Sequence, residues 1–186
     1  TLKIDVAPIK KALGFEVGYE LSEIDDMEVN RYLVARNLKI NLEKMLDTRP
    51  IVQINHYIWW FKENKRTSYI LRKNGKDLLY IWHQLKKVDN EDVIISGVFI
   101  ANESCNALDA MYAITEHSII IEKLFAKAFW IFVTRKDNYF IQEVHKRLKF
   151  REVDKGSVLE GIIQKSFPDA GLSNFLYYFR RIENTN

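Results

Sequence analysis

Apolar and polar positions fall into blocks along the chain, and the clearest order of blocks lies between Val93 and Phe150. Val93-Ile94-Ile95-Ser96-Gly97-Val98-Phe99-Ile100-Ala101 is an apolar run that predicts a buried strand. Asn102-Glu103-Ser104-Cys105-Asn106 follows as a polar turn, and Ala107 to Phe125 has the length of a helix. Ala128-Phe129-Trp130-Ile131-Phe132-Val133-Thr134 predicts a second strand. The pattern breaks at Arg135-Lys136-Asp137-Asn138 and enters a second helix, Tyr139 to Leu148, closing at Lys149-Phe150. Strand, helix, strand, helix is one βαβ crossover plus a helix. It aims a helix N-terminus, with free N–H groups and the positive end of its dipole, at the turn after the first strand. That turn is a candidate anion site.

The remaining blocks read in order. Leu2 to Val6 alternates like a short strand before Pro8, and Phe15 to Leu21 reads as another. Ser22-Glu23-Ile24-Asp25 is a helix start, with Ser22 as the cap. The helix, about Ile24 to Asn37, turns Met27, Tyr32 and Leu33 inward, together with Val29 or Ala35. A second helical piece, Ile40 to Leu46, stops before Thr48-Arg49-Pro50, and a third runs from Ile54 to Lys62. Strands at Arg66 to Arg72 and Leu78 to Lys86 flank Asn74-Gly75, a strong two-residue hairpin turn. Lys87 to Asp92 is a polar turn. The tail carries apolar runs at Val158–Ile163 and Phe175–Ile182, divided by Pro168-Asp169-Ala170-Gly171. There is no internal repeat and no low-complexity segment.

Composition narrows the class. A chain of 186 residues with 47% hydrophobic and 28% charged residues reads as one soluble globular domain with a core of its own. Gly and Pro number only 7 and 3, which argues against long linkers. The net charge of +3 is too mild to argue nucleic-acid binding, although it would not repel an anionic cofactor. One cysteine excludes an internal disulfide and a cysteine-rich metal site. No apolar run is long enough to span a bilayer and no signal peptide is seen, so a cytoplasmic location is the default expectation. The sequence starts at Thr1 rather than Met, as a trimmed chain or part of a longer polypeptide would.

Three local patterns, in order, carry a family likeness. Arg36-Asn37, then Met45, then Ile51 and Asn55-His56-Tyr57-Ile58-Trp59-Trp60-Phe61 form the first. Val133-Thr134-Arg135-Lys136-Asp137-Asn138 is the second, and His145-Lys146-Arg147-Leu148-Lys149-Phe150 the third. Together they resemble the GNAT superfamily of acyl-CoA-dependent N-acyltransferases. The first is similar to the opening of members that acetylate amino sugars on nucleotide carriers. The second is similar to the family's fifth-strand ending on an Asn, and the third to its "Tyr-Glu-Lys-Leu-Gly-Phe". The likeness covers roughly Ser22 to Phe150. It implies an α/β fold: a GNAT-like twisted mixed sheet flanked by helices, its parallel fourth and fifth strands splayed at the cofactor. It implies acetyl-CoA as cofactor, a small-molecule amine as acceptor, and copies pairing through C-terminal strands, here Phe175 to Ile182.

Site residues follow from the resemblance. Ile100, Asn102, Ser104, Cys105, Asn106, Ala107 and Asn138 would hold the cofactor, and Arg36, Asn37, His56 and Trp59 would border the acceptor. His145 stands where many members carry the tyrosine that protonates the leaving thiolate. An imidazolium there would be a competent donor; the alternative is a polar residue on a surface helix face. His83, beside Trp82 in the hairpin, is a candidate base for the acceptor ammonium. Mid-helix His117 reads as exposed, and the histidine spacing suggests no metal. Asn138 also suits a helix cap. Cys105 lacks the His/Asn partners of a nucleophile and reads as a small loop residue.

The diphosphate loop departs from the family's Arg/Gln-x-x-Gly-x-Gly/Ala: only Ala107 matches well, and Glu103 has the wrong sign for a phosphate neighbour. Lys149 stands where the family has the glycine that suits positive φ. Two other classes stay open. One is a degenerate GNAT-fold binding or scaffold protein without acetyl-CoA activity. The other is a nucleic-acid-associated protein, suggested by aromatics beside basic residues and opposed by the mild charge.

Overall fold

Asn74 and Gly75 both sit at positive φ, 51° and 77°, and close the hairpin between β2 (Thr67–Lys73) and β3 (Lys76–Val88). This is the backbone that two-residue turns need, and asparagine and glycine reach it at least cost. A computed structural model of the chain describes residues 18–167 and 174–183. The strand expected at Leu2–Val6, the start of the one at Phe15–Leu21 and the Pro168–Gly171 divider lie outside the described residues.

The other strands are β1 (Tyr19–Glu23), β4 (Glu91–Ile100), β5 (Lys127–Arg135), β6 (Arg151–Glu152) and β7 (Phe175–Glu183). Together they make a seven-stranded mixed sheet in the order β1-β2-β3-β4-β5-β7-β6. β4 and β5 are parallel, in register from Val93–Phe129 to Ser96–Phe132. The pairs β1–β2, β2–β3, β5–β7 and β6–β7 are antiparallel. The flanking helices are α1 (Val29–Arg36), α2 (Lys39–Leu42), α3 (Gln53–Ile58), α4 (Ala107–Leu124), α5 (Tyr139–Arg147) and α6 (Val158–Ser166). A 3-10 turn at Asp26–Glu28 leads into α1, and a π-helical turn at Trp59–Glu63 extends α3.

Ser22 is not a cap. It pairs with Ile70 in the β1–β2 ladder, and its hydroxyl accepts from Arg72 at 3.2 Å. Asp25 caps instead, accepting from the Met27 N–H at 2.9 Å. The 3-10 turn leaves Met27 82% exposed, whereas Val29, Tyr32, Leu33 and Ala35 are all buried. In the tail, Val158–Ile163 is helical: Ser157 caps α6 through the Glu160 N–H, and Ile162 and Ile163 turn inward.

The chain divides into two compact units, with β3, β4 and α4 contributing a segment to each. The unit made of residues up to His83 and Val98–His117 has a core of Val29, Tyr32, Ala35, Trp60, Ile70, Tyr80 and Phe99. Beside it the buried Glu28 carboxylate accepts from Arg72 at 3.0 Å, from the Tyr80 hydroxyl at 3.1 Å and from Arg31. The unit made of Gln84–Gly97 and the residues from Ser118 on centres on Trp130, whose indole N–H donates to the Ser96 hydroxyl at 2.8 Å. Phe150 meets Trp130 edge-on at 5.0 Å, and the Arg180 guanidinium covers both rings while donating to the Leu148 carbonyl and Glu122.

Candidate functional site

The turn between β4 and α4 caps itself. Asn106 is the N-cap of α4, and its side-chain oxygen accepts from the N–H groups of Leu108 at 2.8 Å and Asp109 at 3.2 Å. Asp109 reaches back and accepts from the Asn106 N–H at 2.8 Å. This is a reciprocal capping box, with Asn and Asp in place of the usual Ser/Thr and Glu. Earlier in the turn, Asn102 takes the Ser104 N–H with its side chain and the Cys105 N–H with its carbonyl, both at 3.0 Å. Asp109 is only 2% exposed, and its other oxygen accepts from the Tyr19 hydroxyl at 2.5 Å, with Lys73 at 3.9 Å.

Several cofactor positions therefore differ from the expectation. Ser104, Cys105 and Asn106 have their N–H groups engaged within the turn, while those of Glu103 and Ala107 make no hydrogen bond among the described residues. The N–H of Ile100 is also taken. It donates to the Asn41 side chain at 3.1 Å, and the Asn41 amide donates to the carbonyls of Ile100 and Ala35, both at 2.7 Å. Burial pushes the Cys105 thiol up to about 12, helped by Asp109, so it is no nucleophile at neutral pH. Asn138 caps α5, accepting from the Ile141 N–H at 3.3 Å.

His145 is neither a surface residue nor a charged one. It is 1% exposed, with its ring 4.6 Å from Phe132, 5.1 Å from Tyr178 and 5.4 Å from Phe150. Burial lowers its pKa to about 4, so the ring is neutral at pH 7 and lacks the proton of an imidazolium donor. His83 is 4% exposed, and its Nδ1 lies 3.1 Å from Nε2 of His117. The exposure expected for His117 is wrong: it is fully buried. Burial lowers His83 to about 4; burial and then the neighbouring His83 lower His117 to about 3.

On the acceptor side, Asn37 is structural. Its amide donates to the Ile51 carbonyl and accepts from the Ile51 N–H, both at 2.8 Å. His56 is 1% exposed, 6.0 Å from Tyr32 and 5.6 Å from Trp59, with its Nε2 3.0 Å from the Val29 carbonyl. A carbonyl only accepts, so that nitrogen carries the hydrogen and Nδ1 keeps a lone pair. Trp59 is half-buried against the same core, with the Arg66 guanidinium 5.1 Å from its ring and 3.7 Å from that of Trp82. Arg36 donates to the Asp47 carbonyl at 3.2 Å. An open cleft of about 490 Å³ is lined by Asn30, Arg31, Arg72, Asp77, Tyr80 and Asn102, among others.

Sequence reading missed Asn41 and Asp109. Asp109, three residues after Asn106, completes a visible capping pattern. Asn41 is a lone polar residue at an inward position of a short helix, and only its partners reveal why.

No protein-family model matches the chain, and no curated protein does. Solved structures do. A domain from Methanocaldococcus jannaschii matches with a TM-score of 0.66 at 15% identity, over 88% of this chain and 97% of that one. The ribosomal-protein-alanine N-acetyltransferase of Brucella melitensis matches with a TM-score of 0.66 at 10% identity, over 87% and 98%. AAC(6')-Ib, in complex with paromomycin and acetyl-CoA, matches with a TM-score of 0.60 at 12% identity, over 87% and 92%. The chain has the GNAT fold, and GNAT-type N-acetyltransferases are among its structural neighbours.

Proposed function

We propose that this chain is a single-domain acyl-CoA-dependent N-acyltransferase, with acetyl-CoA as donor and a primary amine as acceptor. An amino sugar on a nucleotide carrier is the acceptor favoured by the Arg36-Asn37 and His56 to Phe61 pattern. The observation that carries the reading is the GNAT sheet, with β4 parallel to β5 and a helix opening after the short turn that follows β4.

The turn fits a diphosphate more narrowly than a glycine loop would. Its open donors are the Glu103 and Ala107 N–H groups, backed by the α4 dipole. In this reading those groups bind the diphosphate. Acetyl-CoA, when bound, supplies a thioester whose carbonyl carbon can accept the amine. Most of the acceleration then belongs to residues that hold the two reactants together. His83 is kept as the candidate base for the acceptor ammonium: it is neutral at pH 7, although burial, which lowers its pKa to about 4, makes it a weak one. His145 is assigned no proton-donating role. Copies pairing through β7, outside the stretch at Tyr178 and Phe179 that β6 already covers, complete the reading. No helix among the described residues is long and apolar enough to cross a membrane.

Thermal unfolding with acetyl-CoA, with free CoA and without ligand tests this directly. Acetyl-CoA at about a hundred times its dissociation constant adds about 2.7 kcal/mol, an easily seen shift. Release of free thiol in the presence of amines then reads transfer. No shift at millimolar acetyl-CoA would overturn the reading. The Asn106–Asp109 box favours a second one, a GNAT-fold binding protein without acetyl-CoA activity, which predicts that null result.

A further inference from the structure

Four side-chain polar atoms buried without a hydrogen-bond partner lie on α1, on α3 and on β2, the strand whose Ile70 shares a core with Tyr32. They are the Tyr32 hydroxyl, Nη1 of Arg36, Nδ1 of His56 and the Ser68 hydroxyl. Native proteins leave few such atoms, and four together call for an explanation. Tyr32 and Arg36 are four residues apart on α1 and so share a face. The Tyr32 ring lies 6.0 Å from His56 and 6.4 Å from Trp59. Ser68 pairs with Trp82 across the β2–β3 ladder, and Arg66 lies over both Trp82 and Trp59. Tyr32, His56 and Ser68 are 2%, 1% and 5% exposed.

The chemistry of the group is lopsided. Two guanidinium groups and two hydroxyls can all donate. Among the described residues no carboxylate pairs with Arg36 or Arg66 at salt-bridge distance. Burial and the nearby Arg66 charge both press the Arg36 pKa down, while Tyr32 and Asp47 oppose this. Both guanidinium groups are half-buried, Nη1 of Arg36 has no acceptor, and hydroxyls and guanidinium forks are the usual ligands of an oxyanion. The lone pair on His56 Nδ1 adds a single acceptor, suited to an N–H or O–H of the same ligand.

We propose that Tyr32, Arg36, Arg66 and Ser68 form an oxyanion-binding subsite, and that the amine acceptor of this protein carries a phosphate or carboxylate which docks there. The second clause rests on the acyltransferase reading; the first does not. Trp59 and Trp82 flank Arg66 and serve as reporters.

The first experiment titrates the full chain, without acetyl-CoA, with inorganic phosphate and separately with acetate, following tryptophan fluorescence. A saturable change is expected, weakened at least about tenfold in Arg66→Gln and Tyr32→Phe, each checked for native circular dichroism. Arg66 is the safer variant, because it lies toward the surface. Tighter phosphate binding assigns a phosphate-bearing acceptor, and tighter acetate binding a carboxylate-bearing one. No saturable response to either anion, or an undiminished response in both variants, overturns the subsite. The second experiment compares amine acceptors with and without the favoured anionic group. Arg66→Gln should raise KM for the anionic acceptor about tenfold and leave KM for acetyl-CoA unchanged; an unchanged acceptor KM overturns the second clause. Saturable anion binding with no transfer to any amine supports the subsite and removes the acyltransferase reading alone.

Discussion

Lys149 shows what one residue costs. It follows α5 with φ at 63°, where the Phe150 N–H closes back on the His145 carbonyl at 2.9 Å. This is the helix-ending geometry that glycine favours, and a side chain there adds strain of about 1 kcal/mol. Lys149→Gly should therefore raise the urea midpoint by about 1 kcal/mol of stability; an unchanged or lowered midpoint would show that the lysine is adapted to its place. The problem was legible in the sequence, because a family glycine is replaced there. His117 was not. Its helix also buries Ala113, Ile114, Thr115, Ser118 and Ile121, and a helix covered around so much of its circumference gives periodicity no exposed face to find.

Among the elements, α4 links sequence to function most directly. Its limits, and those of β4, β5 and α5, were read from apolar run lengths to within one or two residues, since each run is bounded by polar turns. Ser22 misled because a capping residue type can equally serve in a strand, and only the pairing partner decides. The Asn106–Asp109 box sets a conflict at the α4 start, because the carboxylate that stabilises the helix opposes a phosphate. Asp109→Asn should cost about 1 kcal/mol of stability and yet tighten acetyl-CoA binding. Parallel unfolding and calorimetric titration read the two effects. Lower stability with unchanged or weaker binding would mean that Asp109 does not limit the cofactor.

At the scale of the molecule, all four histidines are buried and all four have lowered pKa values. In the unfolded chain they titrate near 6.5. As pH falls below that value, the unfolded state binds protons that the fold refuses, so stability drops. Each histidine's contribution is fully present above about 6.5 and is lost by the time pH passes its folded value, near 4 for His83 and His145 and near 3 for His117. Each refused proton steepens the decline by about 1.4 kcal/mol per pH unit. His145→Phe keeps a ring among Phe132, Phe150 and Tyr178 and should flatten the slope between about pH 6 and pH 5 by one proton's share. Equal slopes in the two proteins would remove His145 from the acid response. None of this was readable beforehand, because burial of a histidine depends on what the finished fold lays over it.

Asn37 and Asn41 each embrace one distant residue, Ile51 and Ile100, through both its N–H and its carbonyl. In doing so each side chain imitates a neighbouring strand of backbone. Asp would set an acceptor against a carbonyl, Leu would offer nothing, and Gln would overreach by a methylene. Substitution at these two places is thus constrained by hydrogen-bond grammar rather than by size or greasiness.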